Sequence, residues 1–157
     1  MPRPLRVTLE DGGVYYVACR AGSTQPLFCE PDDYHTYIAL LASYKRRYGF
    51  RCLAFSLLPD QLHLCLELQA GTTISSVMHD LHSRYTKHIA KRFQHAGPLF
   101  QGRFKAALVE PDSAFLWGLI HEIHRLPQQL GATDDPTSYP WSSDACYRCS
   151  SGHTEQP

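Results

Sequence analysis

Hydrophobic and polar positions divide the chain into seven predicted elements. Residues 14–19, Val-Tyr-Tyr-Val-Ala-Cys, follow Gly12-Gly13 and are rich in β-branched and aromatic side chains, which suits a strand entered from a turn. After a loop to Phe28, Pro31-Asp32-Asp33 opens a helix in which Tyr34, Tyr37, Ile38, Leu41 and Tyr44 or Lys45 recur at helical spacing, and Gly49 stops it near Tyr48. Two strand-like runs, 51–58 and 62–68, flank Pro59-Asp60 and predict a hairpin. Thr72-Thr73 caps a second helix. Its apolar positions Ile74, Val77, Met78, Leu81, Tyr85, Ile89 and Phe93 keep a helical period until Gly97-Pro98. Gln101-Gly102 leads into a fourth strand over 103–109. Pro111-Asp112-Ser113 then caps a third helix with Phe115, Leu116, Leu119, Ile120 and Ile123 on one side and Pro127 at its end.

The order β-α-β-β-α-β-α predicts an α+β fold of ferredoxin-like type, an antiparallel sheet with helices mainly on one face. Residues 1–130 form the expected domain. Residues 131–157, rich in Pro, Ser, Thr and Asp, are expected to be an irregular tail anchored by Tyr139-Pro140-Trp141. No stretch approaches the roughly 18 apolar residues of a membrane span, and Met1-Pro2-Arg3-Pro4 lacks the apolar core of a signal peptide. The expectation is a cytoplasmic protein with no membrane partner.

Charge changes this picture. The 157 residues carry 15 Lys and Arg against 15 Asp and Glu, which argues against a chain-wide polycation. The balance is a cancellation, however. Between His79 and Val109 the only acid is Asp80, whereas Arg84, Lys87, Lys91, Arg92, Arg103 and Lys105 are all basic. At about 100° per residue, Arg84, Lys87, His88, Lys91 and His95 share roughly a third of the second helix's circumference. A solvated helix face would normally mix in acids for i,i+4 pairs. Their absence points to contact with a phosphate backbone.

The six cysteines (Cys19, Cys29, Cys52, Cys65, Cys146 and Cys149) lie mostly in or beside apolar runs, where a reduced thiol packs as a small hydrophobe. Cys146, Cys149 and His153 offer three zinc ligands without the second paired motif that a structural zinc site uses. Strand alternation sets Gln61, His63, Cys65 and Glu67 on the face opposite Leu62, Leu64, Leu66 and Leu68. On the third helix Glu122 lies at the margin of the apolar stripe, so a carboxylate could face the sheet near His63. His121 and Arg125 point away, and His124 occupies the other margin.

These residues, in this order, resemble the single-tyrosine HUH transposases of the insertion-sequence 200-like type, especially the REP-associated subgroup. The resemblance runs from Gly13-Val14-Tyr15-Tyr16-Val17, Arg20 and Pro26-Leu27-Phe28 through Leu58-Pro59-Asp60-Gln61-Leu62-His63-Leu64. It continues in Gly97-Pro98-Leu99-Phe100-Gln101-Gly102-Arg103-Phe104-Lys105, Ile123-His124 with Pro127, and Tyr139-Pro140-Trp141-Ser142-Ser143. It implies a strand His-hydrophobic-His triplet holding a divalent metal, Mg or Mn, and a helix tyrosine that attacks phosphorus to leave a 5′-phosphotyrosine. Three positions depart from that pattern. Gln61 stands at the first histidine, Glu122 at the nucleophilic tyrosine, and Leu126 at the polar residue that helps hold the metal.

Chemistry sets the consequences. A carboxamide is a far weaker ligand than neutral imidazole, so Gln61 with His63 should hold metal weakly unless Glu122 joins them. As a nucleophile Glu122 would be repelled by the phosphodiester and would yield a labile mixed anhydride. Tyr85 and Tyr139 are the nearest substitutes, one in a core-facing stripe and one in the tail. The expectation is a DNA-binding family member that recognises single-stranded or hairpin DNA through Arg84, Lys87, Lys91, Arg92, Arg103 and Lys105, with cleavage lost or impaired and no cofactor. The alternative is an active metal-dependent transposase or nuclease with a Gln61, His63 and Glu122 site. Both monomers and homodimers fit the resemblance.

Overall fold

The computed structural model describes residues 13–22, 25–93, 98–110 and 113–147. Along the chain these form β1 (Gly13–Arg20), α1 (Pro31–Tyr48), β2 (Arg51–Leu58), β3 (Gln61–Leu68), α2 (Ile74–Phe93), β4 (Lys105–Val109) and α3 (Ser113–Gln129), with a short 3-10 turn at Pro136–Ser138. The strands pair antiparallel throughout in the order β2-β3-β1-β4. This is the ferredoxin-like arrangement. The two β-α-β crossovers each skip one position, and the intervening strand runs the opposite way.

Alternation along the strands builds two cores. Leu62, Leu64, Leu66 and Leu68 join Tyr15 and Val17 beneath α1 and α2, where Tyr37, Leu41, Val77, Met78, Leu81 and Tyr85 close the main core. On the other face Val14, Ala54, Cys65 and Val109 meet Ile120 and Ile123 of α3. Two of the three long helices therefore share one face, and α3 covers the other.

The helix boundaries have local causes. Gly49 adopts φ 71°, the left-handed conformation that ends α1. At the start of α2 the Ser76 N–H donates to Thr73 Oγ1 at 3.1 Å. Asp33, fully buried in the first turn of α1, accepts from the Cys29 and Glu30 N–H groups at 3.0 Å each and from Arg92 of α2 at 2.7 Å. A carboxylate removed from water persists only when so satisfied, and this one ties the two helices together.

Four details differ from the sequence expectations. β4 starts at Lys105, because Gly102 takes φ 65° and keeps Arg103 in the preceding loop. α3 runs through Pro127 to Gln129; its last turns are closed by Leu130 N–H to Leu126 O at 2.9 Å, and the Pro127 carbonyl accepts from Ala132 N–H at 2.8 Å. Phe115 is 62% exposed, so the stripe that packs on the sheet consists of Leu116, Leu119, Ile120 and Ile123 without it. The anchoring of the last segment also extends past Trp141. Leu57 N–H donates to Trp141 O at 2.8 Å, Ser143 N–H donates to Phe55 O at 3.0 Å, and the Tyr139 hydroxyl donates to the Leu57 carbonyl. These bonds cover the outer edge of β2, which would otherwise present open ladder groups. The cap residues Pro111 and Asp112 lie outside the described residues.

Candidate nucleic-acid interface

Gln61 and His63 share the α3-side face of β3, next to β1. The imidazole of His63, 8% exposed, sits between two neighbours: Tyr16 Oη at 2.6 Å from Nδ1 and Gln61 Oε1 at 2.8 Å from Nε2. With the Gln61 carbonyl oxygen as acceptor, Nε2 carries the proton and Nδ1 accepts from the Tyr16 hydroxyl. Burial pushes the His63 pKa down to about 4; the positive charge of Arg20 adds to the shift and Asp60 opposes it. His63 is therefore a neutral, doubly bonded imidazole at physiological pH.

This donor set does not fit a divalent ion. Both His63 nitrogens are committed to protein partners, and Gln61 offers a neutral oxygen already accepting a hydrogen bond. Glu122 is exposed on α3, where Ile120, Ile123, His124 and Pro127 are the buried positions. No hydrogen bond or ion pair joins it to Gln61 or His63 among the described residues, and no cluster of three His, Cys, Asp or Glu side chains among them is placed to hold a metal. His124 is drawn instead towards the last segment: its Nε2 lies 2.7 Å from Ser143 Oγ and its Nδ1 lies 3.7 Å from Asp144 Oδ1. Cys149 and His153, two of the three suggested zinc ligands, lie outside the described residues.

Tyr85 and Tyr139, the substitute tyrosines, are both buried. The Tyr85 hydroxyl donates to Leu27 O at 2.6 Å, and desolvation by burial pushes the pKa of both phenols well above the ordinary tyrosine value. Neither is presented to a phosphodiester.

The predicted cations divide between two surfaces. Arg84, Lys87 and Lys91 are exposed along α2, and none is ion-paired with a carboxylate among the described residues. Asp80, the one acid in that helix, is bonded by the Tyr48 hydroxyl. Arg92 differs, since its guanidinium holds Glu30 and Asp33; His88 Nε2 lies 3.9 Å from the same Asp33. His95 lies outside the described residues. Lys105 sits across the sheet from the α2 strip, because it pairs with Ala18, which in turn pairs with His63. Arg103 is exposed in the loop just before it. That loop is tied to the end of β1 by Gln101 N–H to Arg20 O at 2.8 Å. Its Leu99 is buried and its Phe100 stacks on His82 at 4.2 Å, so the residues from Leu99 to Gly102 form a packed connection that brings Arg103 and Lys105 to the end of β1.

Sequence reasoning missed Tyr16, Ala18 and Arg20 as neighbours of His63. Period-2 alternation along β1 puts the three on one face; the β1–β3 register that sets them beside His63 is long-range and was not legible.

A four-stranded antiparallel sheet in ferredoxin-like order, with α2 carrying exposed cations on one side and His63 buried on the other, defines an α+β domain. A family model described as "Transposase IS200 like" matches residues 18–115, and the chain belongs to that family. Among solved structures, the fold is similar to that of a REP-associated tyrosine transposase bound to a REP hairpin, with TM-score 0.72 and 18% identity over 85% of this chain and 77% of that one. It is also similar to a putative transposase from Deinococcus radiodurans R1, with TM-score 0.50 and 18% identity over 71% of this chain and 91% of that one. No curated protein sequence is significantly similar to this one.

Proposed function

We propose that this transposase-family chain is a DNA-binding protein that recognises single-stranded or hairpin DNA, and that cleavage by the family's metal and tyrosine route is lost. The observation that carries this reading is the row of Arg84, Lys87 and Lys91 on α2, exposed and without carboxylate partners among the described residues. A phosphate backbone supplies the missing counter-charge. The REP hairpin bound by the structural relative supports a folded single strand as the ligand. Lost or impaired cleavage is supported by the committed imidazole of His63 and by an exposed carboxylate where the family resemblance places a tyrosine. No helix among the described residues is long and apolar enough to cross a membrane. Cys19, Cys29, Cys52 and Cys65 form no disulfide, the state a reducing cytoplasm maintains.

Fluorescence anisotropy with labelled oligonucleotides of equal length tests the reading. A hairpin with a single-stranded tail should bind more tightly than a blunt duplex, and Lys87→Ala with Lys91→Ala should weaken it. Equal affinity for both ligands, or binding indifferent to the two lysines, would overturn it.

A further inference from the structure

The sheet face around His63 carries two cations and a carboxamide by register, Lys105, Arg20 and Gln61. Ala18 lies at its centre on the inner strand β1, between Lys105 of β4 on one side and His63 of β3 on the other. With strands about 4.8 Å apart, the Lys105 and His63 backbones stand about 10 Å apart, with the Ala18 methyl group between them. Ala18 is half-buried and α3 packs mainly over β2, so among the described residues no helix covers this gap. Along β1 the same face carries Tyr16 and Arg20. Arg20 is exposed, pairs directly with Gln61, and acts electrostatically on His63. Gln61, with its carbonyl oxygen held by His63, keeps its amide NH2 as a donor beside Arg20.

We propose that this patch binds one backbone phosphate of a DNA strand directly, over Ala18 and between Lys105 and Arg20, with the Gln61 amide donating to a phosphate oxygen. Charge-assisted donors take the place that a divalent ion would need. Lys105 and Arg20 supply two positive charges, and Gln61 adds a hydrogen bond that an imidazole holding a metal could not give. The Tyr16–His63–Gln61 chain fixes the carboxamide orientation, so His63 is a positioning residue. The inference rests on the DNA-binding reading and deepens it by locating a phosphate on the face opposite the α2 strip.

The test uses the full chain with EDTA present. Anisotropy with the tailed hairpin is measured for wild type, Arg20→Ala, Lys105→Ala and Ala18→Leu, each checked for folding by circular dichroism; in parallel, inorganic phosphate is titrated while the His63 ring signals are followed by NMR. Each variant should bind about tenfold more weakly, and phosphate should shift the His63 signals saturably in wild type alone. Hairpin binding unchanged in all three variants, with His63 signals still, would overturn this site while leaving the DNA-binding function standing. Phosphate shifts without DNA binding would overturn the functional reading and uphold the anion site. Silence in both arms would overturn both.

Discussion

His82 gives a prediction whose size follows from its surroundings. Its ring stacks on Phe100 at 4.2 Å, and Nε2 lies 2.9 Å from the Tyr37 hydroxyl, inside the core between α1 and α2. Burial pushes its pKa from 6.5 down to about 3. As pH falls below 6.5 the unfolded chain takes up the proton first, so stability is complete above that value and is lost as pH falls towards the folded pKa. At pH 5 the unfolded imidazole is about 1.5 pH units below its own pKa, a loss of about 2 kcal/mol. That figure hardly depends on the folded value, provided it lies below roughly 4.5. His63, pushed down to about 4, behaves in the same way and contributes about 2 kcal/mol more at pH 5. Together they remove a large part of a stability that is typically about 5–15 kcal/mol. Urea unfolding of wild type and His82→Gln at pH 7.5 and pH 5.0 measures the effect, since ordinary carboxylates titrate mostly below this window. The difference between the two pH values should be about 2 kcal/mol smaller in His82→Gln. An identical difference in both proteins would refute the desolvation argument.

Tyr85→Phe removes the hydroxyl that satisfies the buried Leu27 carbonyl and should lower stability by about 1–3 kcal/mol, read from the urea midpoint at constant m-value. Gly102→Ala forces a Cβ into the φ 65° conformation that turns the chain before Arg103. No neighbour lies within 4 Å of that Cβ, so the cost should be the backbone strain alone, about 1 kcal/mol in the same assay. For DNA binding, Lys87→Ala and Lys91→Ala should each reduce the slope of log affinity against log salt by about 1, whatever the base sequence of the ligand.

Much of the fold was legible because its elements carry strong local signals. The α1 bounds follow from Pro31 and Gly49, and the β2–β3 hairpin follows from the alternating leucines around Pro59-Asp60. Where the expectation failed, either local bonds beyond the signal or packing against the sheet had overruled it. Pro127 reads as a terminator, yet α3 continues because the Pro127 carbonyl and the Leu126–Leu130 bond close the helix end. Phe115 reads as core by period, but the sheet is met one residue further round the helix. At the candidate site a shared strand face was legible and the cross-strand arrangement was not. Gln61 and His63 were placed on one strand face by alternation, whereas their partner Tyr16 lies 47 residues before His63 and depends on the β1–β3 register. In the same way, the basic residues between His79 and Val109 form a single cluster in sequence. The sheet separates them, leaving Arg84, Lys87 and Lys91 on one side and Lys105 on the other, and Asp33 with Glu30 claims Arg92.

On the proposed function, DNA is held by protein cations without metal-dependent cleavage. The most direct measurement incubates the full chain with a 5′-labelled tailed hairpin in Mn²⁺ and, separately, in EDTA, and follows both the complex and any covalent or shortened species on denaturing gels. The same affinity is expected in both conditions, with intact DNA and no label migrating with denatured protein. Cleaved DNA or a covalent protein–DNA adduct that appears only with Mn²⁺ would contradict it.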